Sequence, residues 1–145
     1  MVNGLIYDFE SIKLMLPTGL ILGCESVEYS DEKNDEVICG TNNLPLGVGR
    51  GEWKGTCKLE LKRFEYDKLN VFSAASGGFY NMPPIPVVAS YGNLGQPPVT
   101  DTLLVHFTKR DFKGSKGDTS LNVTIEGPQT MPMNSDGITA FVPFM

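Results

Sequence analysis

The residues that could do chemistry are few and poorly placed for it. His106 is the single histidine. A general base needs a nucleophile within hydrogen-bond reach, and no serine or cysteine sits in a GxSxG, HExxH or GxxxxGK[ST] setting. A structural histidine is therefore the expectation. Gly47-Val48-Gly49-Arg50-Gly51 has the look of a phosphate loop, since backbone N–H groups can cradle an oxyanion where a strand leads in and a helix leads out. Here a strand follows, and no Lys-Ser/Thr is present. The glycines are better explained by a turn needing positive φ and close backbone approach. Carboxylates gather at Glu25, Glu28, Asp31, Glu32, Asp35 and Glu36, but without the alternating Asp/Asn, central Gly and distal Glu of a calcium loop. A solvated acidic loop is the reading. The three cysteines, Cys24, Cys39 and Cys57, form no CxxC. A zinc site would have to recruit His106 as its fourth ligand. Three reduced, buried thiols on strands are expected instead, in keeping with assembly in a cytoplasm. No catalytic residue, metal or cofactor is expected.

The elements that would position these residues are mostly strands. Residues 11–16 alternate, with Ile12, Leu14 and Leu16 on one face. Pro17-Thr18-Gly19 makes a turn, and residues 20–29 return as the second strand of a hairpin. The apolar phase there shifts from Leu20/Leu22/Cys24 to Val27/Tyr29, which predicts a β-bulge within residues 23–26. Residues 30–36 read as an acidic loop, 37–40 as a short apolar stretch, and 41–53 as aperiodic and rich in Gly, Asn and Pro. So long a segment with little structure is usually functional or disordered, and its Leu44, Leu46, Val48 and Trp53 favour ordering against a partner. Residues 54–63 form the cleanest strand, with Cys57, Leu59 and Leu61 on one face. The single helix follows: Tyr66, Leu69, Phe72 and Ala75 recur at helical spacing, Glu65 and Asp67 lie in its first turn, and Gly77-Gly78 ends it. Further strands are expected over 87–91, 102–108, 120–126 and 138–144. Aromatic, Pro-rich or turn-rich connections fill 79–86, 92–98, 111–118 and 127–136. The fold class is mainly β: an antiparallel sandwich or barrel of about eight strands, one flanking α-helix, and a long loop between early strands.

Bulk properties agree. The chain has 145 residues, the size of one domain spanning 1–145, and can bury roughly 70% of its unfolded surface without a metal or disulfide. Hydrophobic residues at 41% and charged residues at 20% place it among ordinary globular chains. A net charge of −5 with scattered basic residues argues against tight nucleic-acid binding. The N-terminal residues lack the basic and apolar regions of a signal peptide. No apolar run approaches the ~18 residues of a membrane span. The sequon at Asn122 lies in an expected strand and carries no meaning in an unsecreted chain.

One stretch, residues 21–69, carries a family likeness. It holds Glu25-Ser26-Val27-Glu28-Tyr29, an acidic loop, Gly40, Pro45-Leu46-Gly47-Val48-Gly49-Arg50-Gly51, Trp53, Gly55, the strand 58–61, and Phe64-Glu65-Tyr66 opening a helix. It resembles the tail tube proteins of contractile phage tails and defective-prophage particles; beyond Gly78 only the strand pattern agrees. The chain has Asn42-Asn43-Leu44 where those relatives are more basic. The resemblance implies a β-barrel or sandwich flanked by a helix, whose subunits form hexameric rings. The rings would stack into a hollow tube, a conduit for DNA during ejection that the DNA crosses without tight binding. It also implies sheath, baseplate and tail terminator partners, a place in the virion tail, and assembly in the host cytoplasm without membrane insertion.

Asp31, Glu32, Asn43, Leu44, Pro45, Gly47, Gly49, Arg50, Gly51 and Trp53 are then the expected subunit interface, with Trp and Arg as typical anchors. Glu25 and Glu28 are the expected lumen-facing acids, where like charge lets DNA slide. Open sheet edges could pair across subunits, and head-to-tail contacts that close give rings. The inner tube of a tailocin or secretion-type injection machine is the same physics with another cargo. A monomeric β-sandwich binding module, using Trp53, Tyr80 and Tyr91 as exposed aromatics, is the remaining alternative. The residue inventory disfavours an enzyme.

Overall fold

Alternation becomes structure most plainly at β6, Trp53–Lys62, where Gly55, Cys57, Leu59 and Leu61 are buried and Lys54, Thr56 and Lys58 face solvent. The computed structural model describes residues 12–92, 98–117 and 121–140. In chain order the strands before β6 are β1 Ile12–Leu16, β2 Gly19–Ile21, β3 Cys24–Lys33, β4 Glu36–Cys39 and β5 Pro45–Gly49. After β6 come α1 Arg63–Ser73, β7 Ile85–Tyr91, β8 Val99–Val105, β9 Lys109–Lys113, β10 Asn122–Pro128, β11 Asn134–Ser135 and β12 Ile138–Thr139. Two antiparallel sheets result, six-stranded in the order β12-β11-β8-β7-β1-β2 and four-stranded in the order β3-β6-β10-β9. Strands β4 and β5 form a separate two-stranded ribbon. The inward residues share one core: Leu14, Leu16, Val87, Leu103 and Val105 from the first sheet, Leu59, Leu61, Val123 and Ile125 from the second. This is a sandwich with a flanking helix; the described strands close no barrel.

The sheets are also bridged by a polar clamp that composition and periodicity did not signal. Tyr29 on β3 hydrogen-bonds Tyr91 on β7 and donates to the Asp101 carboxylate on β8. Ser135 on β11 donates to the other oxygen of Asp101 at 2.7 Å. Burial, then the Asp101 hydrogen bond, pushes the Tyr29 hydroxyl well above its usual range, and burial likewise raises Tyr91. Both hydroxyls therefore stay protonated donors at neutral pH.

Several expectations change. The strand over 20–29 is two strands, because the chain leaves one sheet after Ile21 and enters the other at Cys24. The expected bulge lies there, a register shift between Cys24 and Ser26. The acidic loop over 30–36 is mostly strand: β3 runs to Lys33, and Glu32 stands opposite Lys54 on a solvent face that accepts charge. Helix α1 starts at Arg63, so Glu65 is in the first turn while Asp67 lies beyond it and pairs with Arg63 at 3.0 Å. Its buried residues are Glu65, Tyr66, Leu69 and Ser73; Phe72, at the edge of that face, is 43% exposed. The Gly77 ending holds, with φ 93 after a 3₁₀ turn Ala74–Ser76. Residues 111–113 belong to β9, and 127–128 and 134–135 to β10 and β11, where turns were expected. His106 follows β8, half-buried, its backbone N–H donating to the Pro128 carbonyl. Ser11, the N-terminal residues, most of the expected turn-rich stretch (93–97), residues 118–120 and the end of the expected last strand (141–144) lie outside the described residues.

The cysteines divide. Burial pushes the Cys57 thiol up to about 12 and the half-buried Cys24 thiol up to about 11. Cys39 is exposed, contrary to expectation, because its strand β4 has no sheet above it. All three are free thiols. A thiol-exchange reagent at pH 8 is expected to modify one cysteine quickly and the other two only on unfolding, since the thiolate is the reactive species. Three fast thiols in the native protein would contradict this burial.

Candidate functional site: a projecting β-arm

Strands β3 and β6 pair over ten residues, from Cys24↔Leu61 to Lys33↔Trp53, and then run on past the sandwich as β4 and β5. The arm is a hairpin with Val37↔Val48 and Ile38↔Gly47 as cross-strand pairs. Its reversal, Thr41–Asn43, places Asn42 and Asn43 at φ 65 and 59. Asparagine tolerates this left-handed region better than other residues with a side chain, and the Gly40 N–H closes the turn on the Leu44 carbonyl at 2.8 Å. The stretch over 41–53 looked aperiodic because neither face of the arm is buried, so no alternation is imposed.

The arm's apolar side chains are uncovered: Val37 is 61% exposed, Ile38 54%, Leu44 62%, Leu46 73% and Val48 63%. Exposed Pro45 opens β5. Isolated exposed leucines are ordinary, but a contiguous apolar surface marks an interaction site. Val37 and Ile38 were missing from the expected interface. The signal available was their pairing with 46–48 across Asn42-Asn43, a hairpin pattern.

The glycines serve geometry. Gly47, Gly49 and Gly51 do not have positive φ, contrary to expectation. Gly51 does meet the backbone closely: a Cβ there would lie 1.4 Å from the Asn34 carbonyl oxygen. Gly47 has open space around it, and a Cβ on Gly49 would only press on Ile38. Gly47 and Gly49 lie on a strand and Gly51 in the short connection before β6, so no oxyanion cradle forms.

At the arm's root the ladder is broken by an unequal count of residues on its two sides. Asn34 and Asp35 on one side face Arg50, Gly51 and Glu52 on the other, and the Asn34 N–H reaches the Glu52 carbonyl at 3.0 Å. The Asp35 carboxylate takes the Gly51 N–H and the Lys33 ammonium, each at 2.8 Å. Those bonds, Lys33 first, hold its carboxyl below the usual range. Trp53 belongs to the root too. Its indole N–H donates to Asp31 at 3.1 Å, and the ring lies against Gly55. Thus Asp31, Arg50, Gly51 and Trp53 form the base, Glu32 faces solvent beside it, and Asn43 to Gly49 form the arm proper.

Elsewhere, Glu25 pairs with Lys62 at 2.5 Å. Exposed Glu28 stands in a cross-strand row, Glu28–Lys58–Glu126–Lys109, on the outer face of the four-stranded sheet. That face interleaves both signs of charge, so the two glutamates have cationic neighbours. On the outer side of α1 is a mostly apolar groove of about 550 Å³, lined by Thr18, Phe64, Asp67, Lys68, Val71 and Phe72. Among the described residues no three His, Cys, Asp or Glu side chains are grouped to hold a metal, and no helix is long and apolar enough to cross a membrane.

Comparison with known proteins places this architecture. No protein-family model and no curated protein matches the chain. Solved structures do. A chain in the sheath/tube terminator of the extracellular contractile injection system PVC superposes with a TM-score of 0.70 at 9% identity, covering 91% of this chain and 97% of that one. The SPP1 tail tube gives 0.65 at 8% identity, covering 91% and 80%. A chain of the native gene transfer agent virion gives 0.61 at 11% identity, covering 90% and 98%. The fold is therefore one shared with the tail tubes and tube terminators of phage-like particles. These neighbours are parts of tails, tubes and virions, and none is named as an enzyme.

Proposed function

We propose that the chain is a structural subunit of a phage-type tail tube. Copies associate head to tail into hexameric rings, the rings stack, and the hollow tube conducts DNA during ejection. The observation that carries this reading is the arm, whose five large apolar side chains are all more than half exposed in the isolated chain. A neighbouring copy supplies the missing burial. Among the described residues, β3 and β9 are the outer edges of the four-stranded sheet, and pairing them across subunits removes an aggregation hazard. The interface comprises the arm and its root, Asp31, Glu32 and residues 43–53. Sheath, baseplate and terminator proteins are the other partners, and the virion tail is the location. The inner tube of a tailocin or secretion-type machine is the same assembly with a different cargo. A terminator that caps a tube is a second reading, supported by the likeness to the PVC terminator and to the tube-terminating cap of the anti-feeding prophage, TM-score 0.68.

Negative-stain electron microscopy across a concentration series tests these readings. Stacked rings of uniform width are the expected result for a tube subunit. Single rings that never stack would favour the cap, and dispersed monomers at every concentration would favour the binding module.

A further inference from the structure

The bend at the arm's root is built from specific bonds. Opposing two residues with three forces a kink in an antiparallel ribbon, and such a kink leaves ladder groups without strand partners. Here the Gly51 N–H is taken up by a side chain, the Asp35 carboxylate. Lys33 holds the same oxygen, fixing its aim, and the Asp35 N–H closes back on the Lys33 carbonyl at 3.0 Å. Gly51 lies so close to Asn34 that no side chain fits between them. We propose that Asp35 is a positioning residue that locks this elbow and so sets the direction in which the arm reaches a second copy of the chain. The proposal rests on the assembly reading above.

The physical reason is preorganisation. Asp35 is exposed, so its bonds add little to the stability of the sandwich. An arm that swings freely, however, loses its freedom on docking, and that loss falls on the assembly equilibrium. The charged groups acting on Asp35 are Lys33 on β3 and Arg50 beyond β5, both favouring the carboxylate. The lock therefore stays closed at neutral pH. Only the part that comes from the charge facing Lys33 depends on pH: it is present above the ordinary carboxyl value of about 4 and is lost as pH falls below it, while the Gly51 N–H keeps an oxygen acceptor.

Two variants separate the bonds. Asp35→Ala removes both acceptor interactions, whereas Asp35→Asn keeps an oxygen for the Gly51 N–H and gives up the charge facing Lys33. Asp35→Ala is expected to raise the concentration needed for assembly roughly ten- to a hundredfold, with Asp35→Asn close to wild type and both melting temperatures unchanged. A second readout needs no assembly: spin labels on the exposed Cys39 and on Lys58→Cys in the sandwich report the arm's direction in the monomer. One narrow distance distribution is expected in the native background and in Asp35→Asn, and a broad one in Asp35→Ala. An equally narrow distribution in Asp35→Ala overturns the elbow, whether or not tubes form. Absence of rings and tubes from the unaltered chain overturns the assembly reading, and the monomer distances still decide the elbow.

Discussion

Leu46→Asp combined with Val48→Asp is expected to abolish rings and tubes while leaving the melting temperature of the sandwich almost unchanged. Both side chains are more than 60% exposed in the isolated chain, and surface changes of that kind usually fall within about 0.5 kcal/mol. Docked against a neighbour, each would contribute about 1.5–3 kcal/mol of burial. Losing both removes roughly 3–6 kcal/mol per contact, a weakening of at least about a hundredfold. Two carboxylates forced into an apolar interface add a desolvation cost. Sedimentation and microscopy over a concentration series, beside a thermal melt, give the answer. Tubes of normal length from the double variant would remove the arm from the interface and the main support for the proposed function.

The second large effect concerns folding. Asp101→Ala is expected to destabilise the chain by about 3 kcal/mol, because the Tyr29 and Ser135 hydroxyls lose their acceptor in a site where Asp101 is 9% exposed. For a domain of this size the melting temperature should fall by roughly 6–12 °C. The clamp also has a pH signature. The Tyr29 hydroxyl is raised in the folded state, so its contribution is complete below the unfolded tyrosine value of 10.0 and declines as pH rises above it. Tyr29→Phe should flatten that alkaline decline. Unchanged melting of Asp101→Ala would show that the clamp contributes nothing to holding the sheets together.

The sandwich was legible wherever one face of a strand is buried. Cys57, Leu59 and Leu61 alternate with Lys58, Glu60 and Lys62 because the core accepts only one side of β6. The helix was legible from spacing and from Gly77. The bulge at residues 24–26 showed as a change of phase. Trp53 illustrates what was not legible. Strand pairing brings Asp31 beside Gly55, two residues along from Trp53, so the indole N–H reaches the Asp31 carboxylate at the arm's root. Cys39 illustrates the converse. Its residue type suggested burial, and it is exposed because its ribbon is covered on neither face among the described residues.

The sequence by itself determined the class of the fold: mainly β, with a stretch of helical spacing after the longest clean strand and an apolar segment between early strands. Local rules suffice for this, since alternation, turn residues and motif spacing act between near neighbours in the chain. Tertiary structure alone decided that this segment is a hairpin continuing β3 and β6, that its apolar residues are bare on both faces, and that Asp35 takes the Gly51 N–H at its root. It alone brought Tyr29, Tyr91, Asp101 and Ser135 together. Those facts depend on which strands pair and which surfaces remain uncovered, and these are set by contacts between residues far apart in the chain.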